Sequence, residues 1–258
     1  MRIALLQPGE MGAAIGRTLV AAGHEVGWAS VGRSAASRER SEAAGLVDRG
    51  DLDALLADSE LVLSICPPHA ARDVAAEVAS TGFAGTYLDC NAIAPSTAAE
   101  VRATVIAAGA AFVDGGIVGG PPSEDSGPRL YLSGEAAPAV ATLFDDTVVE
   151  AIVLDQGPFA ASQIKMAYAA WSKGSQAMLL TAMAAARRSG LDGPLTAEWA
   201  HSQPGLADKL RGAEASDAKK GWRWIGEMEE IARSMEDLGL PDGFHRAAAA
   251  VYAADDIP

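Results

Sequence analysis

The sequence predicts an α/β domain built on a doubly wound sheet, followed by an all-α domain. Before residue 156, short apolar runs of strand length alternate with amphipathic stretches of helix length, which is typical of a parallel sheet with crossover helices. After Gly157-Pro158 the β-branched runs disappear, and Ala, Leu, Met, Lys and Glu dominate. We therefore predict an α/β domain over residues 1–156 and a helical domain over residues 157–258.

Apolar runs mark the predicted strands of the first domain. They cover residues 3–6, 24–29, 61–65, 86–89, 111–114, 129–133 and 151–154. The second domain opens with a long predicted helix that extends to about Ser189. Glycine and proline break the helical pattern at residues 190, 193–194, 204–205 and 239–241.

A glycine-containing turn follows the first strand. Gly9 and Gly12 let the backbone approach a pyrophosphate, and the following helix directs its free N–H groups and the positive end of its dipole at that phosphate. Gln7 stands where the G-x-G-x-x-G pattern usually has its first glycine. The turn predicts a Rossmann-type dinucleotide-binding unit. Its expected cofactor-binding residues are Gln7, Gly9, Glu10, Met11 and Gly12.

The segment after the second strand indicates NADP(H) as the cofactor. An NAD-selective site places Asp or Glu at the end of this strand, about 20 residues after the glycines. This chain has Ser30-Val31 there, followed by several arginines, and guanidinium groups suit the recognition of a 2′-phosphate. The expected contacts are Gly32, Arg33, Ser34 and Arg38, with Arg40 nearby. The alternative interpretation is a solvated, charged loop.

Ligands of open α/β sheets gather where the strands end, so three further segments are candidates. The turn after residue 65 is stiff and suits the ribose of the cofactor; it contains Cys66, Pro67, Pro68 and His69. Asn91 follows the next strand and is a candidate both for binding the cofactor and for a part in catalysis. The glycine-rich segment after Asp114 offers backbone N–H groups to a carboxylate or carbonyl, through Gly115, Gly116, Ile117, Gly119 and Gly120. An ordinary flexible loop is the alternative for this last segment.

Composition narrows the class of protein. The net charge of −14 argues against a broad nucleic-acid-binding surface. No run of about 18 apolar residues exists, and the N-terminus has no signal-peptide pattern, so no membrane association is expected. The cysteines at 66 and 90 and the four histidines lack metal-ligand spacing, which predicts a reduced, cytoplasmic protein without a metal.

One lysine of the long helix is the candidate catalytic residue. Lys165 lies in a run of small and apolar residues, and an amine can donate or accept a proton where a guanidinium cannot. Ser172 and Lys173 share its helical face, seven and eight residues further on. A solvated surface lysine is the alternative interpretation.

With these motifs in place, the chain resembles the β-hydroxyacid dehydrogenase superfamily, which includes 3-hydroxyisobutyrate and 6-phosphogluconate dehydrogenases. It most resembles the reductases that join a 6-phosphogluconate-dehydrogenase-like nucleotide domain to a short helical domain of unknown function. The resemblance covers nearly the whole chain. Its segments are residues 9–12, 32–34, 89–95, 114–120, 165–166 and 173–174.

The resemblance implies an NADP(H)-dependent hydride transfer between nicotinamide and a small hydroxyacid or ketoacid. Lys165 would be the general acid/base, Gly119-Gly120 would hold the substrate carboxylate, and the long helix would contribute to a homodimer. Asn91 and the backbone of residues 115–120 would orient the substrate, and Ser172 and Lys173 would extend the pocket.

Two departures from the superfamily pattern leave alternatives open. Val118 stands where the loop usually has Ser, and Ala169 stands where Asn usually follows the lysine. Both changes remove groups that position a hydroxyacid. One alternative is an imine reductase on the same fold, although those enzymes usually replace the lysine. The other is a non-catalytic NADPH-binding or redox-sensing protein, an interpretation that Gln7 also favours.

Overall fold

The computed structural model describes residues 1–254. The chain divides into two compact units, one from Met1 to Lys165 and one that begins at Met166. The division falls inside a helix that starts at Ala160, shortly after the predicted domain boundary at residues 156 and 157.

The first unit contains eight strands and its helices alternate with them. The strands are β1 Arg2–Leu5, β2 Glu25–Trp28, β3 Val47–Asp48, β4 Leu61–Ser64, β5 Thr86–Asp89, β6 Ala111–Val118, β7 Arg129–Ser133 and β8 Glu150–Val153. The helices are α1 Glu10–Ala21, α2 Ala35–Ala43, α3 Leu52–Leu56, α4 Ala71–Ser80, α5 Pro95–Ala107 and α6 Ala137–Ala141, and α7 Ala160–Arg188 begins here.

The strands form one sheet in the order β3-β2-β1-β4-β5-β6-β7-β8. The order reverses direction at β1, so the sheet is doubly wound as predicted. One pair corrects the expectation of a wholly parallel sheet, because β6 and β7 are antiparallel. The connection from Val118 to Arg129, which lies within the described residues, contains no helix. Parallel pairing needs a long crossover, so this short connection returns the strand antiparallel.

Hydrophobic cores cover both faces of the sheet. Alternate residues of one strand point to opposite faces, so Leu63 joins one core and Val62 the other. Helix α1 packs on the first core through Ile15 and Leu19, and α4 packs on the second. Each fully buried aliphatic side chain contributes about 1.5–3 kcal/mol of hydrophobic free energy, so these cores hold the strand ends in fixed positions.

The glycine-rich segment after Asp114 was expected beyond the end of a strand, but its first part continues β6. Gly115, Gly116 and Ile117 lie inside β6 and pair with Leu132, Tyr131 and Leu130 of β7. A Cβ at Gly115 would come within 2.6 Å of the Cys90 sulfur and 2.8 Å of the Asp89 carbonyl oxygen. Glycine here therefore permits close packing within the sheet rather than flexibility.

The second unit is helical, as predicted. It contains the rest of α7, followed by α8 Asp192–Ser202, α9 Leu206–Asp237 and α10 Gly243–Ala253. Trp224 of α9 and Tyr252 of α10 meet edge to face, with ring centroids 5.1 Å apart. None of the helices within residues 1–254 combines the length and apolarity needed to cross a membrane.

Candidate functional site

The turn between β1 and α1 leaves its backbone accessible. The Gly9 N–H donates to the Gln7 carbonyl oxygen at 2.8 Å, and nothing lies within 4 Å of a Cβ built at Gly9. A Cβ at Gly12 would lie 2.6 Å from the same carbonyl oxygen, so only glycine fits at that position. Gly9 is the N-cap of α1 and makes no side-chain capping bond. The N-terminus of α1 is therefore open to an anion such as a phosphate.

Two guanidinium groups bond to backbone carbonyls of this turn, and a third bonds to a carbonyl just after β2. The pairs are Arg33 Nη2 with Leu6 O at 3.2 Å, Arg38 Nη2 with Ser30 O at 2.8 Å, and Arg40 Nε with Pro8 O at 3.1 Å. Ser34 caps α2 by accepting from the Ser37 N–H. The φ of +74° at Gly32 allows the chain to turn into this helix. Arg33 and Arg40 therefore present positive charge beside the β1–α1 turn, and Arg38 presents it at the end of β2.

A cleft of about 200 Å³ opens next to the arginines. Its walls are Leu6, Gln7, Ala29, Val31, Arg33, Asp51, Leu52, Leu55, Val74, Glu77 and Val78. Sequence reasoning missed most of these residues, because they come from α3 and α4 and no motif marks them. The Asp51 carboxylate in this wall accepts from the Ala54 N–H at 2.9 Å and caps α3.

A row of buried polar side chains crosses the sheet at the last residues of β4, β5 and β7 and in the middle of β6. Ser64 of β4, Asp89 of β5, Asp114 of β6 and Ser133 of β7 are successive register partners. Each of the four is at most 1% exposed. This row is not visible in the sequence, since its members lie on four separate strands and become neighbours only through the strand register.

Asn91 joins two of these strand ends. Its Nδ2 donates to Ser64 Oγ at 3.0 Å and to Asp89 Oδ2 at 3.1 Å, and its Oδ1 accepts from the Cys66 N–H at 2.6 Å. Asn91 is buried, with 2% of its surface exposed. These bonds orient the turn at residues 66–69, whereas direct contact of the Asn91 side chain with a substrate stays a prediction.

The same turn carries the candidate ribose contacts. Cys66, Pro67 and Pro68 are half-buried, and His69 is exposed in a short 3₁₀ turn that begins at Pro68. Burial and the nearby Asp89 carboxylate raise the pKa of the Cys66 thiol to about 12. This thiol is therefore protonated at neutral pH, which argues against a nucleophilic role.

The start of α7 is tied to β6 and β7. The Ser162 N–H donates to Asp114 Oδ2 at 2.8 Å, the Ser162 hydroxyl donates to Asp114 Oδ1, and the Ala161 N–H donates to Ser133 Oγ at 3.1 Å. A Cβ at Gly116 would overlap the Ala161 carbonyl oxygen and would lie 3.1 Å from the Lys165 Cβ. The geometry therefore brings the half-buried Lys165 directly against β6.

The remaining expected substrate contacts lie in two places. Gly119 and Gly120 are exposed just after β6, and Gly119 adopts a φ of +127°. Ser172 and Lys173 follow along α7 within the second unit. There, the Lys173 ammonium is paired with the Glu227 carboxylate and lies 5.5 Å from the centroid of the Trp224 ring. The roles of these residues toward a substrate stay predictions.

Comparison with known families identifies both parts of the chain. Residues 2–147 match the family described as the NAD binding domain of 6-phosphogluconate dehydrogenase. Residues 186–254 match a family described as a domain of unknown function, DUF1932. A comparison with curated proteins gives no match to this chain.

Solved structures share the fold over almost the whole chain. The 3-hydroxyisobutyrate dehydrogenase of Mycobacterium tuberculosis, solved with L-serine, is 18% identical with a TM-score of 0.73, over 99% of this chain and 94% of that one. An imine reductase of Streptomyces aurantiacus is 17% identical with a TM-score of 0.60, over 98% and 93%. Psf3, solved with NADP+ and 2-OPP, is 18% identical with a TM-score of 0.68, over 97% and 93%.

Proposed function

Since the chain belongs to the β-hydroxyacid dehydrogenase superfamily, in the subgroup with a short C-terminal domain of unknown function, we propose that it is an NADP(H)-dependent oxidoreductase. Its substrate class is a small hydroxyacid or the corresponding ketoacid, and Lys165 is the general acid/base. The observation that carries the proposal is the packing of Lys165 against Gly116 of β6, in the unit that carries the dinucleotide-binding turn.

The described residues fit NADP(H). The open N-terminus of α1 suits the pyrophosphate, since nothing lies within 4 Å of a Cβ at Gly9. The three guanidinium groups of Arg33, Arg38 and Arg40 suit a 2′-phosphate, and the apolar walls of the cleft suit an adenosine. When bound, the nicotinamide ring supplies or accepts the hydride of the reaction.

Lys165 moves the proton in this proposal. In the direction of reduction its ammonium donates to the substrate oxygen, and in the direction of oxidation its amine accepts from the substrate hydroxyl. A lysine can perform both steps because its ammonium exchanges protons, whereas a guanidinium stays protonated. The exposed Gly119 and Gly120 offer backbone N–H groups to a substrate carboxylate.

The proposal is tested by replacing Lys165. Lys165→Met keeps most of the length of the side chain and removes the amine, and Lys165→Arg keeps the charge but cannot release a proton. We expect both variants to bind NADPH with unchanged affinity and to lose about 100-fold or more in turnover. NADPH binding is measured by titration calorimetry, and turnover by cofactor absorbance with a panel of small ketoacids, aldehydes and cyclic imines. Full turnover in either variant would remove Lys165 from the reaction.

The same panel separates the alternatives. Consumption of NADPH with ketoacids supports the proposed substrate class, and consumption with cyclic imines alone would instead identify an imine reductase. Tight NADPH binding without turnover across the whole panel would identify a non-catalytic binding protein.

We also propose a homodimer formed through α7. Tyr168, Trp171 and Met178 share one face of this helix, and they are 49%, 77% and 63% exposed. Light scattering of the purified protein is expected to give the mass of two chains, and Trp171→Glu is expected to give one. Ile106→Glu, at an exposed position of α5, is the matched control and is expected to leave the dimer intact. A monomeric wild type would contradict this proposal.

A further inference from the structure

The buried carboxylate of Asp114 acts as a cap for a helix that is distant in sequence. The first N–H groups of a helix have no partner within it, and α7 satisfies two of them with side chains of neighbouring strands. Asp114 of β6 accepts from the Ser162 N–H, and Ser133 of β7 accepts from the Ala161 N–H. A negative charge at this end also interacts favourably with the helix dipole. The start of α7 is therefore anchored to two strands.

Three hydrogen-bond donors compensate for the burial of this carboxylate, and a fourth orients one of them. Asp114 accepts from the Ser162 N–H, the Ser162 hydroxyl and the Ser133 hydroxyl, and the Ala161 N–H holds Ser133 in place. Burial raises the pKa of the Asp114 carboxyl, and the bonds from Ser162 and Ser133 oppose that rise. The burial of a carboxyl group costs free energy unless hydrogen bonds replace those to water. The donors of Ser162 and Ser133 supply such bonds to Asp114.

The anchor, which is the set of hydrogen bonds from Ala161 and Ser162 to Ser133 and Asp114, lies close to Lys165. Lys165 is three residues beyond Ser162, which places it about 4.5 Å further along the helix axis. Gly116 is two residues beyond Asp114 and points to the same face of β6. A Cβ at Gly116 would overlap the Ala161 carbonyl oxygen and would lie 3.1 Å from the Lys165 Cβ, so the lack of a side chain there lets this turn of α7 approach β6 closely. The helix is thus held by hydrogen bonds at its start, and the glycine at position 116 allows its close approach to β6 beside Lys165.

We propose that Asp114 is the positioning residue for Lys165: its carboxylate fixes the first turn of α7, so that the amine is carried at a set distance from β6. The inference rests on the proposed function in one respect, namely that Lys165 moves the proton. Asp114 is not a catalytic residue, because its contacts are with α7 and with Ser133.

Hydrogen–deuterium exchange tests the anchor without any substrate. In Asp114→Ala the amides of residues 160–165 are expected to exchange at least about 10-fold faster than in the wild type, because the helix start loses its acceptor. Asp114→Asn keeps one acceptor oxygen and is expected to give an intermediate rate. Asp89→Asn is the matched control, a buried carboxyl in the same polar row whose bonds go to Asn91, and it is expected to leave this exchange unchanged. Unchanged exchange in Asp114→Ala would overturn the inference.

A second measurement reports on Lys165 itself. Reductive methylation with ¹³C-formaldehyde labels the lysine amines, and the Lys165 signal is the one missing from Lys165→Arg. We expect this signal to shift and sharpen in Asp114→Ala, as the side chain gains freedom, and to stay unchanged in Asp89→Asn. An identical signal in wild type and Asp114→Ala would contradict the proposal. If Asp114→Ala does not fold, Asp114→Asn and Ser162→Ala replace it in both measurements.

Measurements of activity then distinguish a failure of this inference from a failure of the proposed function. A misplacement of about 1 Å costs about 100-fold in rate, so Asp114→Ala should lose kcat by that order while NADPH affinity is unchanged. Asp114→Asn should recover part of the loss. If Lys165→Met loses activity and Asp114→Ala does not, the positioning role is wrong. If Lys165→Met keeps its activity, the proposed function fails. The exchange and ¹³C measurements still show whether Asp114 fixes the start of α7.

Discussion

Asp89 and Asp114 are register partners on adjacent parallel strands, and each residue is 1% exposed. Burial is the main cause that raises the pKa of both groups, and the charge of Asp114 raises the pKa of Asp89 further. Bonds donated by Asn91 to Asp89 act in the opposite direction. The resulting pKa of Asp89 is about 7, so this carboxyl group titrates near neutral pH inside the folded protein.

The raised pKa of Asp89 predicts a pH-dependent stability. A carboxyl whose pKa rises from 3.8 to about 7 on folding binds its proton more tightly in the folded state. The stabilisation is complete below pH 3.8 and is lost as the pH rises toward 7, so this group makes the free energy of unfolding fall across that window. Asp89→Asn is expected to flatten the fall, because an amide does not titrate. Urea unfolding at several pH values checks this, and equal slopes in both proteins would refute it.

The contact between Gly116 and α7 predicts a specific cost for a methyl group. In Gly116→Ala the new Cβ overlaps the Ala161 carbonyl oxygen and crowds the Lys165 Cβ, so we expect a loss of about 1–3 kcal/mol in the free energy of unfolding. Gly212→Ala is the control, since Gly212 lies in α9 with nothing within 4 Å of its Cβ. Alanine there is expected to stabilise the helix by up to about 1 kcal/mol. Equal stabilities of the two variants would show that α7 does not pack closely on β6.

Local sequence patterns predict most of the strands and helices, but they do not predict strand residues that depend on pairing with a distant strand. The runs at 86–89 and 129–133 are strands with the predicted bounds, because alternating or continuous apolar residues there face a core. The extension of β6 to Val118 was not predicted, since its glycines are typical of loops and become strand residues only through pairing with β7. The two-residue β3 at Val47–Asp48 is too short to form a pattern.

The candidate site likewise contains residues that the sequence predicts and contacts that it does not predict. Gly12 and the arginines after β2 predict a phosphate site from residue type and spacing alone, because their chemistry is local, and this site stays a prediction. The partners of Asp114 are not visible in the sequence, since Ser133 and Ser162 lie 19 and 48 residues further on. Only the register of β6 with β7 and the packing of α7 bring them together, and neither follows from a local pattern.

Arg33, Arg38 and Arg40 predict a preference for NADPH over NADH that one substitution should reduce. We expect Arg38→Ala to weaken NADPH binding about 10–100-fold, because a bond to a charged group contributes about 1.5–3 kcal/mol. NADH lacks the 2′-phosphate, so its affinity should change by less than about twofold. Arg49→Ala is the control, because Arg49 is paired with Glu25 away from the arginine cluster. Calorimetric titration of both cofactors checks the ratio, and equal weakening of NADPH and NADH would rule out a 2′-phosphate contact.

The buried ion pair of the second unit predicts a large effect on stability. The side chains of Lys173 and Glu227 are 18% and 8% exposed, so Lys173→Met removes the ammonium from a carboxylate that is shielded from water. Such a loss costs about 3–5 kcal/mol in the free energy of unfolding. Arg211→Met is the control, because Arg211 and Asp208 form an exposed pair whose loss should cost less than about 1 kcal/mol.

A double variant decides what Lys173 does. Replacement of both partners, Lys173→Met with Glu227→Leu, leaves no unpaired charge and should recover most of the lost stability, as measured by urea unfolding. The recovered protein is then assayed for turnover with the acceptor that the wild type consumes. If Lys173 extends the substrate pocket, as its helical face predicts, KM for that acceptor should rise at unchanged NADPH affinity. If Lys173 only stabilises the fold through its ion pair with Glu227, the double variant should keep the KM of the wild type. That result would exclude a role of Lys173 in substrate binding.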